Sequence, residues 1–157
     1  IPPEIGDLIM IETLYLQENK FSGSIPATIG NIEKLTWIDI AENSFSGSIP
    51  DAFWDIGGLE YIYFSNNTLT GTLSPSYSNP ANIEDLWLDG NRLSGTIPLV
   101  EEGEFSMLEE LLFNGNELSG VMPSSICTLV NDTLIRLWSD CLNPNPEVVC
   151  SCCTLCL

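Results

Sequence analysis

Pairs of apolar residues separated by one other residue recur along the chain. Leu14 and Leu16, Ile38 and Ile40, Ile62 and Phe64, Leu86 and Leu88, and Leu111 and Phe113 each flank a single position. A period of two puts both members of a pair on one side of a short strand and the residue between them on the other. The pairs sit in a longer pattern. Asn recurs at Asn19, Asn43, Asn67, Asn91 and Asn116, with spacings of 24, 24, 24 and 25. Gly follows four residues later, at Gly23, Gly47, Gly71, Gly95 and Gly120. Two further on stand Ile25, Ile49, Leu73, Ile97 and Met122. Pro comes next at Pro26, Pro50, Pro98 and Pro123, while the third copy has Ser74 there and Pro75 one later. Self-similarity at a fixed period of about 20–50 residues marks stacked supersecondary units.

This spacing predicts one strand per coil, stacked in parallel into a continuous sheet. The repeats start at residues 11, 35, 59, 83 and 108, after a partial repeat over 1–10, and a final strand covers 134–138. Residues 139–157 form a separate terminal segment. Asn19, Asn43, Asn67, Asn91 and Asn116 fall in register, as a ladder whose amides satisfy backbone groups where the chain leaves the sheet. Losing one leaves buried partners unpaired, at roughly 1–3 kcal/mol. The Gly allows a backbone conformation or a close approach denied to other residues. The Pro removes a donor on a side where no ladder needs it. The third repeat is odd in its back half, where Pro75 and Pro80 bracket a Ser/Asn-rich loop and Pro80 takes an apolar position.

The pattern L-x-x-L-x-L-x-x-N-x-L-S-G-x-I-P stands here as F-S-G-S-I-P twice, L-T-G-T-L-S, L-S-G-T-I-P and L-S-G-V-M-P. It resembles the plant-type extracellular leucine-rich repeat over residues 1 to about 138. The resemblance implies an α/β-type repeat solenoid, with a parallel β-sheet on the concave face and an irregular or 3-10 convex side. It also implies a binding surface on the concave face.

Six cysteines, Cys127, Cys141, Cys150, Cys152, Cys153 and Cys156, fall in the last 31 residues. An even number crowded at one end of an extracellular-type solenoid reads as a disulfide-rich cap over the apolar end of the stack. Six cysteines allow 15 pairings, and spacing does not choose among them. A zinc site at C-x-C-C-x-x-C is the rival; the absence of His and the secreted context count against it. The ending D-C…V-x-C-x-C-C-T-x-C resembles secreted repeat proteins of algae.

Charge narrows the partners. There are 22 Asp and Glu against four Lys and Arg, a formal net charge of −18. Phosphate backbones need Lys and Arg, so nucleic acid is excluded as a direct partner. Anionic membrane surfaces are disfavoured for the same reason. No apolar run is long enough to span a bilayer. The chain opens with I-P-P-E-I-G-D-L, the back half of a repeat, so residue 1 is expected not to be the natural start. A signal peptide and further residues are expected upstream, with an extracellular, secreted or cell-surface location.

The outward strand positions form three columns. One reads Tyr15, Asp39, Tyr63, Trp87, Leu112 and Trp138; the next Thr13, Trp37, Tyr61, Asp85, Glu110 and Arg136; the third Glu12, Thr36, Glu60, Glu84, Glu109 and Ile135. An aromatic stripe therefore lies beside an acidic edge, and all these positions are expected to face solvent. Tyr15, Trp37, Asp39, Tyr61, Tyr63, Asp85, Trp87, Asp89 and Trp138 are the candidate binding residues. Exposed aromatic rings there can stack on sugars or cations and mark interfaces; they also fit strands and pack on one another across rungs. Sequons at Asn66-Asn67-Thr68 and Asn131-Asp132-Thr133 nominate Asn66 and Asn131 for N-linked glycans. Glu101, Glu102, Glu104, Glu109 and Glu110 offer oxygens of the kind calcium takes, but no loop matches a calcium motif. A solvated acidic edge accounts for them, and no metal or other cofactor is expected. Paired acids could hydrolyse glycosides. An open solenoid face offers no defended pocket for that chemistry, so no catalytic residue is expected. Three functions follow. The first is non-enzymatic recognition of a protein, peptide or glycan. The second is self-assembly, with copies of the chain as partners, in a glycosylated extracellular filament or cell-surface coat. The third, by family analogy alone, is inhibition of secreted hydrolases.

Overall fold

The computed structural model describes residues 1–101, 103–130, 132–142 and 148–157, as a stack of short coils carrying two parallel sheets. The strands are β1 (Thr13–Tyr15), β2 (Ser22–Gly23), β3 (Trp37–Asp39), β4 (Ser44–Gly47), β5 (Tyr61–Tyr63), β6 (Thr68–Thr72) and β7 (Asp85–Trp87). There follow β8 (Arg92–Thr96), β9 (Glu110–Leu112), β10 (Glu117–Val121), β11 (Arg136–Ser139), β12 (Val148–Val149) and β13 (Leu155–Cys156). The odd-numbered strands make a seven-stranded sheet in sequence order; the even-numbered strands make a six-stranded one. In the first sheet Leu14 pairs with Ile38, Ile38 with Ile62, Ile62 with Leu86, Leu86 with Leu111, and Leu111 with Leu137. The inward column of every coil thus lies on that of the next, and from Ile38 onward it is fully buried. Apolar side chains at the end of one coil are covered by the coil that follows, which is what makes such a stack stable only as a whole.

The asparagine ladder fastens one coil to its predecessor. Asn67 Nδ2 donates to Phe64 O and Ser65 O in its own coil and to Ile40 O in the coil before, while its Oδ1 accepts the N–H of Phe45. Asn43, Asn91 and Asn116 repeat this arrangement. Asn19 donates only within its own coil, to Leu16 O and Gln17 O.

The second sheet is the main departure from an irregular convex side. It is built from the L-S-G segment after each Asn, where Phe45, Leu69, Leu93 and Leu118 point into the core. Irregular structure returns on the far side of each coil as 3-10 turns at Pro3–Asp7, Ala27–Asn31, Asp51–Phe53 and Pro75–Ser78, and as one short helix, α1 (Ser124–Leu129). Pro26, Pro50 and Pro123 stand just before such turns, where an extended residue with no N–H is at home. In the third repeat Ser74 takes that place and its side chain accepts the N–H of Ser76. The odd loop there is tied to the acidic run: Tyr77 donates to Pro98 O, and buried Ser78 donates to Glu104 at 2.7 Å. Pro80 is buried, as its apolar position requires.

The C-terminal segment continues both sheets. Strand β12 adds to β10 and β13 to β11. Asp140 accepts the N–H groups of Gly115 and Asn116, completing the turn at the end of the ladder. Bridges Cys127–Cys152, Cys141–Cys156 and Cys150–Cys153 fix the segment, the first reaching back to α1. Closing a 15-residue loop such as that of Cys141–Cys156 contributes about 3 kcal/mol.

Gly95 supports a direct test. Its φ is +81°, and an added Cβ would lie 2.9 Å from Thr72 Cγ2 in the coil before. Gly57 has nothing within 4 Å of such a Cβ. We expect Gly95→Ala to lower stability by roughly 2 kcal/mol, and Gly57→Ala to change it by under about 1 kcal/mol. Adding Thr72→Ser to Gly95→Ala removes the clashing methyl and recovers part of the loss. Equal denaturation midpoints for the two single variants would contradict this account.

Candidate functional site

The first sheet carries the concave columns in the register expected from spacing. Tyr15, Asp39, Tyr63, Trp87, Leu112 and Trp138 pair in succession, and so do Thr13, Trp37, Tyr61, Asp85, Glu110 and Arg136. Rings meet across four strands. Tyr15 and Trp37 are 5.8 Å apart by centroids, Trp37 and Tyr61 4.4 Å, and Tyr63 and Trp87 4.6 Å. Trp37 also meets Tyr63 edge-on at 5.6 Å. Tyr15 is exposed; Trp37, Tyr61, Tyr63, Trp87 and Trp138 are half-buried against one another and against the sheet. Leu112 does not face solvent as its column position implied. It is only 6% exposed, because it lies between the larger Trp87 and Trp138 on the flanking strands.

A cleft of about 510 Å³ opens over this column. Asp39, Tyr63, Trp87, Asp89 and Trp138, all named from the sequence, line it. Tyr15, Trp37, Tyr61 and Asp85 lie outside its lining, on the same face. The cleft also takes Ala41, Glu42, Ser65, Asn66, Glu110, Leu112 and Arg136, which were not singled out for binding. The loop after each strand explains Glu42 and Asn66. Both have φ near +55°, as Glu18 does, and this left-handed turn swings the position before each ladder Asn toward the concave side. Three consecutive coils carrying a non-Gly residue in that conformation is uncommon.

Hydrogen bonds hold the cleft's shape. Tyr63 donates to Asp85 at 2.6 Å and Ser65 to Asp89 at 2.5 Å. Tyr61 donates to Glu84, which pushes its phenol up to about 12. Burial first, and then the bond to Asp85, raises the Tyr63 phenol. Arg136 pairs with Glu110 at 2.7 Å, the one ion pair among the described residues. The covered indole N–H groups of Trp37 and Trp87 and Glu110 Oε2 have no protein partner among those residues.

The remaining sequence candidates fall elsewhere. Asn66 is exposed at the cleft rim. Asn131 and Glu102 lie outside the described residues. Glu104 accepts from Ser78 and from the N–H of Glu101, so it serves the fold. Among the described residues no three His, Cys, Asp or Glu side chains converge as a metal site, and no helix is long and apolar enough to cross a membrane.

The half-buried acids of this face make a pH prediction. Burial raises Asp39 and Asp85 above the ordinary carboxylate range; neighbouring Glu18 adds to the first, and Glu110, Glu109 and Glu84 add to the second. Bonds from Ala41 N–H and Tyr63 oppose these shifts without cancelling them. The folded state therefore holds these protons to higher pH than the unfolded chain. The resulting stability is fully present below the unfolded pKa and is lost as pH rises through the folded values. We expect the melting temperature to rise as pH falls from neutral toward the ordinary carboxylate range. The gain should shrink in an Asp39→Asn, Asp85→Asn variant, and a flat or falling profile in the parent chain would refute the assignment.

Comparison with known proteins agrees with this geometry. Sequence profiles described as leucine rich repeat match residues 9–69, 82–100 and 107–129. A comparison with curated protein sequences gives no match. The chain is similar to the ectodomain of the plant membrane receptor kinase GASSHO1/SCHENGEN3 from Arabidopsis thaliana, solved in complex with CASPARIAN STRIP INTEGRITY FACTOR 2. That likeness is 38% identity over 88% of this chain and 17% of the other, with a TM-score of 0.80. It is also similar to the plant peptide hormone receptor RGFR1 in complex with RGF2, at 28% identity over 96% of this chain and 22% of the other, TM-score 0.79. A plant ice-binding protein is 26% identical over 92% of this chain and 45% of its own, TM-score 0.74. The chain thus spans less than half the length of each of these proteins. With the ladder, the two parallel sheets and the profile matches in agreement, the chain belongs to the leucine-rich repeat family.

Proposed function

We propose that this chain is a non-enzymatic, extracellular recognition module that binds an extended peptide or protein segment on its concave face. The observation that carries the reading is the aromatic-walled cleft running from Asp39 on β3 to Trp138 on β11. Five strands at about 4.8 Å apart give it a length of roughly 19 Å, enough for about six extended residues. Half-exposed Trp and Tyr are the residues that dominate binding energy at interfaces. The similar receptors solved with RGF2 and with CASPARIAN STRIP INTEGRITY FACTOR 2 favour a peptide over a sugar. The three bridges fit an oxidising, extracellular compartment. A glycan on Asn66 would stand at the rim of the cleft.

Panning a random linear peptide library and probing a glycan array with the parent chain and with Trp87→Ala and Tyr63→Ala tests this reading. Peptides enriched on the parent should bind each variant about 30-fold more weakly, the loss of a hot-spot aromatic of roughly 2 kcal/mol. Melting curves verify that the variants fold. No enriched peptide, capture of glycans alone, or equal binding by folded variants would overturn it.

A second reading concerns the other sheet. The register of this sheet sets Ser22 beside Ser44, Ser46 beside Thr68, Thr72 beside Ser94 and Thr96 beside Ser119. None of these side chains is buried. Each pair joins neighbouring strands about 4.8 Å apart, so hydroxyls that could order water recur along the sheet. With the similarity to a plant ice-binding protein, this favours ice binding by the second sheet. The parent chain should inhibit ice recrystallisation, and Thr72→Tyr with Thr96→Tyr should abolish the effect. Absence of any effect in the parent chain removes this reading.

A further inference from the structure

The cleft is acidic as well as aromatic, and its charge is not balanced from within. Asp39, Glu42, Asp89 and Glu110 line it with one basic residue, Arg136. Arg136 is spent on Glu110, and the other three carboxylates have no basic partner among the described residues. They rest on dipoles instead: Asp39 accepts the N–H of Ala41 at 3.0 Å, and Asp89 accepts the hydroxyl of Ser65, itself only 6% exposed. The whole chain holds only four Lys and Arg, so no surplus of positive charge lies nearby.

The walls point the same way. Tyr63 and Trp87 meet at 62° and form a corner of two ring systems, and the Tyr63 hydroxyl is committed to Asp85. Ring faces attract cations within about 6 Å of the centroid. A neutral apolar segment seated here would take water from the carboxylates and return nothing to them. An acidic segment would add repulsion. A basic side chain meets both demands: its charge answers the carboxylates, and its aliphatic stem lies on the rings. Arg136, held by Glu110 in the same cleft, is an intramolecular case of the charge half of that pairing.

We infer that the corner of Tyr63, Trp87 and Asp89, with Asp39 and Glu42 beside it, is a pocket for a lysine or arginine side chain of the bound peptide. This rests on the reading of the concave cleft as a peptide site. The net charge of −18 would also steer a basic segment toward the chain and speed its capture at low salt.

The test titrates the disulfide-intact chain with acetyl-arginine amide, acetyl-lysine amide and the neutral acetyl-citrulline amide, following the indole signal of Trp87 by NMR. Saturable shifts are expected for arginine and lysine, and none for citrulline at equal concentration. Asp89→Asn should weaken binding at least threefold, as should about 0.5 M salt, which shortens the screening length to a few ångströms. Glu42→Gln, at an exposed side chain, serves if Asp89→Asn fails to fold. Glu33→Gln, exposed and outside the cleft, should change nothing. Equal shifts from citrulline, or binding indifferent to salt and to both cleft substitutions, would overturn the inference. Trp87-dependent peptides that lack Lys and Arg would sink it and leave the recognition reading standing. No peptide of any composition would sink both.

Discussion

One asparagine side chain per coil sets the geometry of this protein. Its amide donates to carbonyls of its own turn and of the coil before, and its oxygen accepts an N–H from that same earlier coil. The groups it serves are buried, out of reach of water, so leaving them unpaired carries the full desolvation cost. The position needs donor and acceptor on one short planar group. Aspartate has no donor and would set a charge among carbonyl oxygens; serine has one donor and a shorter reach. A bond that must reach the previous coil at two points fixes the vertical offset between coils. That is why a period of 24 is held so closely while other positions drift.

A fixed offset turns sequence columns into physical ones. Every coil presents its outward residues at the same height, so Tyr63 must meet Trp87 and Trp37 must meet Tyr61. The inward column is constrained by packing and reads as Ile and Leu throughout; the outward columns are free to carry chemistry. The two sheets use that freedom differently. The first collects rings and carboxylates, and the second collects small hydroxyl residues. Both come from the same coils, a few residues to either side of the same asparagine.

The sequence was most legible where the physics is local and periodic. Alternation of two predicted β1, β3, β5, β7, β9 and β11 and the facing of their residues, because a strand can bury only every second side chain. The second sheet was not legible. Its strands offer at most one inward residue each, such as Leu93, which is too few for alternation, and the segment is extended only because the next coil completes its ladder. Burial of Leu112 depends on its neighbours' size rather than on its own position. Glu42 and Asn66 reach the cleft through a left-handed turn that Gly90 and Gly115 also adopt at the same position of the next two coils, and that Glu42 itself does not announce. The cysteine pairing needs the approach of β13 to β11 and of the cap to α1, which is tertiary information. The Ser78–Glu104 bond joins two segments that each looked like solvated loop.

The acidity of the chain bears on how the concave face can work. Most of its carboxylates stand in water, where charge is inexpensive and salt screens repulsion over about 8 Å. Asp39 and Asp85 are different, because the rings around them remove water without supplying a counter-charge. A fold selected for stability alone could place neutral residues there; Leu112 shows that the same column accepts an apolar side chain and buries it. Keeping partly dehydrated carboxylates beside Tyr63 and Trp87 costs folding free energy that a bound cation would return. The strain is local, since no strand of the first sheet pairs with a strand of the second among the described residues. Distant sites without shared partners behave additively, so the two faces of one coil can be tuned separately.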